Sequence, residues 1–332
     1  MNKNNRILSN KSVKYSFIKV LTGSDLSSRR LAYTEIKSKN PGPVVWLVAG
    51  IHGDEVGGIV IVQEVFKKLR HQGLLKGSVC AFPLMNPIGF ETASRGTVLS
   101  EEDLNRSFPG NQNGTFAERI AETIFTQIKK TNPALVLDLH NDWSNSIPYT
   151  LIDPYPGLKY KKTYDQVKLF SQQTGFVVIN EEEETTEKEE LKKTLTGSLL
   201  LQDIPSLTLE IGGAYVVNED DVAKGIKSVF NILSYLGITP ATEKFFSDIP
   251  AGLKGKILKY SHQPLCSKSG IIRFIVKPGT IVKPGQPLAK IYNVFGKLQE
   301  VLIAPYEGII LGHSDSSVAL PGLSVIAAGR IK

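Results

Sequence analysis

The stretch PVVWLVAGIHGDE, residues 43–55, joins a continuous apolar run to a short polar loop that contains two glycines. An unbroken apolar run is typical of a strand that is covered on both faces of a parallel sheet. Residues 59–69 then place apolar side chains on one face of a helix, and Gly73 is expected to end it. The segment therefore predicts a buried strand, a loop at its carboxyl end and an amphipathic helix, as in a three-layer α/β domain.

The same alternation continues to about residue 236. We predict further strands over 79–85, 134–139 and 206–211, and helices that begin after Thr115 and span 222–236. Thr115 and Glu118 form a capping-box pair at the start of their helix. Between the predicted elements, residues 86–114 show no period, and a connection of that length is usually functional. The acidic run from Glu181 to Glu190 is predicted to be a solvated loop or the edge of a lid.

The residue pattern of the sequence changes after Pro250. Short β-branched runs alternate with Pro-Gly turns, and Gly270-Ile271-Ile272 recurs as residues 308–310. Two similar strand-turn-strand units predict a small β-sandwich or barrel. We therefore divide the chain into a catalytic domain, residues 1–249 with a short N-terminal β extension, and a β module, residues 250–332.

The composition is that of an ordinary globular protein: 332 residues, 41% hydrophobic and 21% charged, with a net charge of +7. Lys and Arg are scattered instead of forming a basic stripe, so no nucleic-acid partner is expected. No apolar run is long enough to span a bilayer, and the N-terminus lacks the features of a signal peptide, so the prediction is a cytoplasmic protein without a membrane partner. Two cysteines form no disulfide framework, and Cys80 is predicted to be a buried free thiol.

Three side chains follow buried strands in a way that predicts a metal site. His52 and Glu55 stand three residues apart in the loop after the first strand, and His140 ends the strand over 134–139. Ligands of open α/β sheets gather at the carboxyl ends of strands, where all three would lie. Two imidazoles and one carboxylate, with a fourth position left for water, are the ligand set of hydrolytic zinc sites. We predict one Zn²⁺ per chain.

Four more residues supply the remaining chemistry of a hydrolase. Glu210 interrupts the apolar strand over 206–211. Because burying a charged group without a partner is costly, its presence there indicates a function, and Glu210 is the candidate general base. Arg95 could stabilise an oxyanion. Arg106 offers a planar fork for a substrate carboxylate, and Asn105 can donate a hydrogen bond beside it.

These motifs resemble the aspartoacylase / succinylglutamate desuccinylase family, which is similar to zinc carboxypeptidases. The likeness lies in GIHGDE, NPIGF with the following Arg95, DLNRSFPG, LVLDLH and LTLEIGG, which occur in the family's order between residues 43 and 236. It implies an α/β fold, namely a three-layer zinc-carboxypeptidase-like domain with a mixed sheet. It also implies that His52, Glu55 and His140 bind zinc, that Glu210 is the general base and acid, and that Arg95 polarises the carbonyl.

The resemblance further implies that Asn105 and Arg106 hold the carboxylate of a small N-acylated amino acid. The activity expected is therefore zinc-dependent deacylation, with N-acetyl-diaminobutyrate as one candidate substrate. The alternatives are a metallocarboxypeptidase acting on short or unusual peptides and a non-catalytic binding protein on the same scaffold. Homo-oligomerisation, a role for Asp138 behind His140, and the choice of an assisting tyrosine among Tyr149, Tyr155 and Tyr215 stay open.

The C-terminal module resembles a biotinyl/lipoyl-like hammerhead. VLIAPYEGII, residues 301–310, and the turn at 282–286 carry the likeness. A true carrier presents a modifiable lysine within DKA or MKM at its hairpin tip, whereas this chain reads Phe295-Gly296-Lys297-Leu298. We therefore expect a small all-β domain that is structural or oligomer-forming and is not modified.

Overall fold

The computed structural model describes residues 12–97, 101–181, 188–241 and 244–331. The strands are β1 Val13–Thr22, β2 Ser28–Lys37, β3 Val44–Ala49, β4 Ser78–Phe82, β5 Leu135–Asp142, β6 Asn145–Ser146, β7 Tyr149–Ile152, β8 Val177–Asn180, β9 Ser206–Gly213, β10 Ile257–Ser261, β11 Gly270–Phe274, β12 Ile281–Val282, β13 Pro287–Tyr292, β14 Leu298–Ile303, β15 Glu307–His313, β16 Val318–Ala319 and β17 Ile326–Ile331. The helices are α1 Gly57–Gln72, α2 Pro87–Glu91, α3 Phe116–Lys129, α4 Lys161–Ser171, α5 Lys188–Leu191, α6 Leu195–Leu200 and α7 Glu219–Tyr235, with 3-10 turns at Leu104–Arg106, Leu158–Tyr160 and Ala251–Leu253.

A large mixed sheet forms the centre of the molecule. Its order is β1-β2-β4-β3-β5-β9-β7-β8-β10-β17-β15-β12, and β6 pairs with β15. The four adjacent strands β4, β3, β5 and β9 run parallel to one another. Their carboxyl ends therefore meet at one edge of the sheet, which is where ligands bind in open α/β sheets.

Helices cover both faces of this sheet, which confirms the three-layer prediction. Alternate residues of β3, β5 and β9 pack with α1, α4 and α7 in one buried cluster. The intervening residues of β3 and β5 pack with α3 and α6 in a second cluster. This period of two is why the central strands read as continuous apolar runs: neither face is left to solvent.

The helices begin and end largely where the sequence predicts. Helix α1 stops at Gly73, which adopts φ 74°, and Thr115 and Glu118 form the capping box of α3. Asn218 caps α7 by accepting from two backbone N–H groups, so this helix begins three residues before the predicted position. Near the start of the described residues, β1 and β2 form an antiparallel hairpin.

Three other features differ from the prediction: an earlier strand end, an additional helix and a longer strand. Strand β4 ends at Phe82 because Pro83, which follows it, has no N–H to donate to a ladder. The stretch 86–114, predicted to be irregular, contains α2, which begins at Pro87 with Asn86 as its cap. Strand β5 continues to Asp142, so His140 lies inside the strand instead of closing it. Of the acidic run, residues 182–187 lie outside the described residues, and Lys188–Leu191 is a short helix.

The C-terminal part is all β apart from one 3-10 turn, as expected, but its strands are divided between two sheets. Strand β10 pairs in parallel with β8, so the large sheet continues into β17, β15 and β12. Strands β14, β13, β11 and β16 form a second, four-stranded sheet, and the two enclose a core of their own. The domain boundary at residue 250 and the hammerhead likeness remain predictions.

Both cysteines are buried free thiols, as predicted for Cys80. Over the residues described, none of the helices combines the length and apolar character needed to cross a membrane.

Candidate metal centre

The loop between β3 and α1 carries the first two candidate ligands. Gly50 leaves the strand at φ 62°, a left-handed conformation that favours glycine. Gly53 packs against α2, and its backbone N–H donates to the carbonyl of Ser94 over 2.9 Å. A Cβ at Gly53 would lie 1.9 Å from the carbonyl carbon of Gly89, so only glycine fits this approach. The loop is thus held against the segment that contains Arg95.

His52, Glu55 and His140 meet in one buried cluster. Oε1 of Glu55 lies 2.5 Å from Nδ1 of His52, and Oε2 lies 2.9 Å from Nδ1 of His140. The backbone N–H of Asn141 also donates to Oε2 of Glu55, over 3.0 Å. One potential ligand atom from each residue falls within 4.8 Å of the others, so the three could hold one metal ion. The sequence prediction that these residues converge is confirmed.

The charges of the cluster suit a cation. Burial alone would raise the pKa of Glu55, but the adjacent His140 and His52 rings outweigh burial and hold that pKa well below its usual range. Burial would likewise lower the pKa of His140, but the carboxylates of Asp138 and Glu55 hold it well above the usual range. The carboxylates therefore favour positive charge at the imidazoles, and a divalent ion bound by neutral rings would satisfy the same demand.

Each imidazole has a carboxylate on its far side. Oδ1 of Asp103 lies 3.2 Å from Nε2 of His52, and Oδ2 of Asp138 lies 3.2 Å from Nε2 of His140. The second contact is close enough for an ion pair but lacks hydrogen-bond alignment, and both oxygens of Asp138 are enclosed without a hydrogen bond. Carboxylates in this position orient metal-binding histidines and fix the nitrogen that faces the ion. In both rings the nitrogen that faces Glu55 is Nδ1.

Sequence reasoning left the role of Asp138 open and missed Asp103 as a partner of His52. Asp103 stands two residues before Asn105, and its side chain accepts from the Asn105 N–H over 2.8 Å. Asn141 was missed as well: its side chain accepts from Gly57 N–H and donates to the Ile211 carbonyl, tying α1 to β5 and β9. The one available signal for Asn141 was its position next to His140.

Glu210 lies directly beside the cluster. It pairs with His140 in the register of β5 and β9. Because Leu209 and Ile211 face the cluster of α1 and α7, Glu210 must point to the opposite face, the one that carries His140. Its Oε2 atom is enclosed and has no hydrogen-bond partner among the described residues. Burial raises the pKa of Glu210 well above its usual range, and the carboxylates of Asp142 and Glu55 add to the rise while His140 opposes it.

Arg95 is brought to the cluster, although more than half of its side chain is exposed. Its Nη2 lies 3.1 Å from Oδ2 of Asp103, and its Nη1 lies 3.8 Å from Oε1 of Glu55. The guanidinium therefore stands at the rim of the centre, where a cation could face a developing negative charge.

Asn105 and Arg106 lie beside the centre through Asp103. Oδ1 of Asn105 accepts from the backbone N–H of Leu195, which fixes the amide and leaves its nitrogen as a donor for a ligand. Arg106 donates to the carbonyl of Asn105, and its Nε lies 4.0 Å from a carboxylate oxygen of Glu190 in α5. The structure thus links the predicted carboxylate anchor to the acidic segment.

The three tyrosines are in different settings. Tyr149 is buried and donates to Asp142 over 2.7 Å. Tyr155 packs edge-on against Tyr164. Tyr215 is exposed, adopts φ 66°, and its backbone N–H donates to the carbonyl of Asp54 in the ligand loop. Tyr215 is therefore the one of the three that is attached to the metal-ligand loop.

Comparison with known proteins places this fold and site in a family. The N-alpha-acetyl-L-2,4-diaminobutyric acid deacetylase of Halomonas elongata is 24% identical over 294 residues, which cover 85% of this chain and 80% of that protein. A solved succinylglutamate desuccinylase/aspartoacylase structure from Rhodobacter sphaeroides covers 96% of both chains with a TM-score of 0.79 at 19% identity. A metallo-carboxypeptidase from Burkholderia cenocepacia covers 67% of this chain and 64% of its own with a TM-score of 0.52 at 17% identity.

The sequence model of the succinylglutamate desuccinylase/aspartoacylase catalytic domain matches residues 41–236, more than half of the chain and the whole of the region that carries the cluster. The chain therefore belongs to the succinylglutamate desuccinylase/aspartoacylase family.

Proposed function

We propose that this protein is a zinc-dependent hydrolase that cleaves the amide bond of an N-acylated amino acid. The observation that carries the proposal is the buried cluster of His52, Glu55 and His140, with Glu210 opposite His140 on the neighbouring strand. Membership of a deacylase family supports the reaction class.

Zinc is the proposed ion because of the donor set. Two imidazole nitrogens and one carboxylate oxygen suit zinc, whereas six oxygens would suit magnesium or calcium. His52, Glu55 and His140 would hold it, with Asp103 and Asp138 orienting the rings. When bound, zinc lowers the pKa of water and polarises a carbonyl oxygen.

The protein's own groups would move the protons. Glu210 would take a proton from the attacking water and pass it to the nitrogen of the leaving amine. Burial raises the pKa of Glu210, which favours its holding the proton between the two transfers. Arg95 at the rim would stabilise the oxyanion, and Asp103 holds its guanidinium beside the centre.

Asn105 and Arg106 would anchor the substrate carboxylate. Glu190 faces the Arg106 guanidinium. A substrate carboxylate would therefore compete with Glu190 for Arg106, and a substrate ammonium would be attracted to Glu190. An N-acetylated diamino acid carries both groups. The Halomonas elongata relative deacetylates N-acetyl-2,4-diaminobutyric acid, which makes this compound the first substrate to test and N-succinylglutamate the second.

The rival activity is that of a carboxypeptidase on short peptides, favoured by the Burkholderia cenocepacia neighbour. Assays on N-acetyl-2,4-diaminobutyrate, N-succinylglutamate and unacylated dipeptides separate the two. Faster hydrolysis of the dipeptides would replace the deacylase proposal by the carboxypeptidase. No turnover on any of them in zinc-loaded protein would favour the non-catalytic alternative.

The mechanism is tested by Glu210→Gln. The variant should retain zinc and lose about 10²–10⁴-fold in kcat, since general base catalysis contributes that much. Glu64→Gln is the matched control, because Glu64 is partly exposed on α1 and, among the described residues, its ion pair is with Lys67. Near wild-type turnover in Glu210→Gln would refute the role of this residue.

For the C-terminal module we propose a structural role without modification. Lys297 follows Gly296 at the tip between β13 and β14, in a sequence that lacks the carrier motifs. Intact mass measurement of protein purified from its native cell would detect a lipoyl or biotinyl group, and either would refute this role.

A further inference from the structure

A second pocket, away from the metal centre, has a buried carboxyl group in its wall. Asp153 directly follows β7 and is only 8% exposed. It lines a cavity of about 250 Å³ together with other residues, among them Pro154, Tyr155, Pro156, Leu200 and Leu201. This volume is below that of ordinary drug-sized sites and suits a smaller ligand.

The carboxyl group of Asp153 has few partners for its burial. Among the described residues, the one side chain hydrogen-bonded to it is Thr196, over a long 3.4 Å. The other charges in the wall, Glu189 and Lys192, lie 2.5 Å apart and neutralise each other. The carboxylate of Asp153 is therefore left without a compensating cation, which is costly for a buried charge.

The rest of the wall is suited to the apolar part of a ligand. Two prolines and two leucines line the same cavity as Asp153, and Tyr155 presents an aromatic ring packed edge-on against Tyr164, with 5.2 Å between the ring centroids. A carboxylate in a wall of apolar and aromatic side chains is the chemistry that recognises an ammonium ion on a hydrocarbon stem.

The pocket lies apart from Glu210, although Glu189 in its wall belongs to α5, the helix whose Glu190 faces Arg106. Tyr149 pairs with Glu210 across β7 and β9, and Asp153 lies four residues further along the chain. Four residues of extended strand span about 13 Å. A ligand of the size of the pocket cannot occupy both places.

We propose that this pocket is a binding site for a small organic cation, a primary ammonium on a short apolar stem. The ammonium would pair with Asp153, and the stem would pack against Tyr155 and the flanking leucines. The site does not depend on zinc or on turnover, so it stands independently of the proposed deacylase activity.

The test uses n-butylammonium chloride as the probe, with n-butanol and sodium butyrate at the same ionic strength for comparison, on the full chain by calorimetry or ligand-observed NMR. Saturable binding of butylammonium in the range of about 1–10 mM is expected for so small a ligand. Butanol and butyrate should bind at least tenfold more weakly, because neither supplies a cation.

Three variants locate the bound probe. Asp153→Asn keeps the shape and should remove the tenfold preference for the cation, whereas Glu210→Gln, at the catalytic centre, should keep it. Leu201→Trp fills the pocket but leaves the charge of Asp153 in place, so it should weaken butylammonium binding. It serves as the test if Asp153→Asn fails to fold. Equal binding of butylammonium and butanol, or a preference lost in Glu210→Gln and kept in Asp153→Asn, would overturn the proposal.

Discussion

Asp103 gives the most specific prediction about the metal centre, because its carboxylate contacts both a candidate metal ligand and the arginine at the rim. Oδ1 lies 3.2 Å from Nε2 of His52, and Oδ2 lies 3.1 Å from Arg95. Asp103→Asn preserves the shape and the acceptor for the Asn105 N–H but removes the charge. The expected result is weaker zinc binding, since His52 loses the anion that favours its metal-binding form.

The size of the effect follows from the geometry. Two unit charges 3.2 Å apart attract by about 5 kcal/mol at an effective dielectric constant of 20, which is an upper limit. The substituted amide keeps a dipole toward His52, and Asp103 is a quarter exposed, so solvent screens part of the charge. Loss of such a partner typically costs 10–100-fold in metal affinity, about 1.4–2.7 kcal/mol, and we expect Asp103→Asn to fall in this range.

The assay is competition for zinc with a chromophoric chelator at pH 7.5, for wild type, Asp103→Asn and the control Asp165→Asn. Asp165 is exposed on α4 and pairs with two lysines far from any candidate ligand in sequence. Activity of Asp103→Asn should recover in part when zinc is raised, while the control behaves as wild type. A zinc affinity of Asp103→Asn within twofold of wild type would refute the argument that this carboxylate supports His52.

Three further predictions concern stability and packing. Gly53→Ala must move the ligand loop, because its Cβ would lie 1.9 Å from the backbone of Gly89. We expect it to lose about 1–3 kcal/mol of unfolding free energy and part of its metal content. The control Gly252→Ala, whose Cβ would meet nothing within 4 Å, should change neither quantity. Burial raises the pKa of Asp153 to about 7, so the wild type loses stability as pH rises from about 4 to 7. Denaturant titrations should find that the unfolding free energy of Asp153→Asn rises relative to that of the wild type by about 1.4 kcal/mol per pH unit over that window. A difference that stays constant with pH would contradict the burial argument. Burial lowers the pKa of His313 to about 4, so its contribution to the unfolding free energy is present above pH 6.5 and is lost as pH falls toward 4, by at most about 3 kcal/mol. The same titrations should show that His313→Gln loses less stability in acid than the wild type does. An equal loss of stability would contradict this role of His313.

The local parts of the fold were predictable because their signals are local. The run before Gly50 is apolar on both strand faces, and the face of α1 repeats with the helical period, so strand, loop and helix could be placed from the residues themselves. The convergence of His52, Glu55 and His140 followed from one rule, that carboxyl ends of parallel strands share an edge. Helix α2 was missed because five residues are too few to show a period.

Contacts between distant segments could not be predicted in the same way. No local pattern shows that β10 pairs with β8, which extends the large sheet into the C-terminal part. The approach of Asp103 to His52 joins residues 51 positions apart, and that of Glu190 to Arg106 depends on how α5 packs. Such contacts depend on the tertiary arrangement, and a carboxylate in a polar loop has the same appearance in sequence whether it meets an imidazole or water.

The central claim is tested most directly by the zinc content of His140→Ala beside that of wild type, measured by elemental analysis after both proteins are loaded with zinc and desalted. His140 contributes one of three candidate ligands and lies opposite Glu210, so circular dichroism must first show that the variant is folded. We predict one zinc per chain in the wild type and almost none in the folded variant. A folded His140→Ala protein that retains one zinc per chain would contradict the assignment of this cluster as the metal centre.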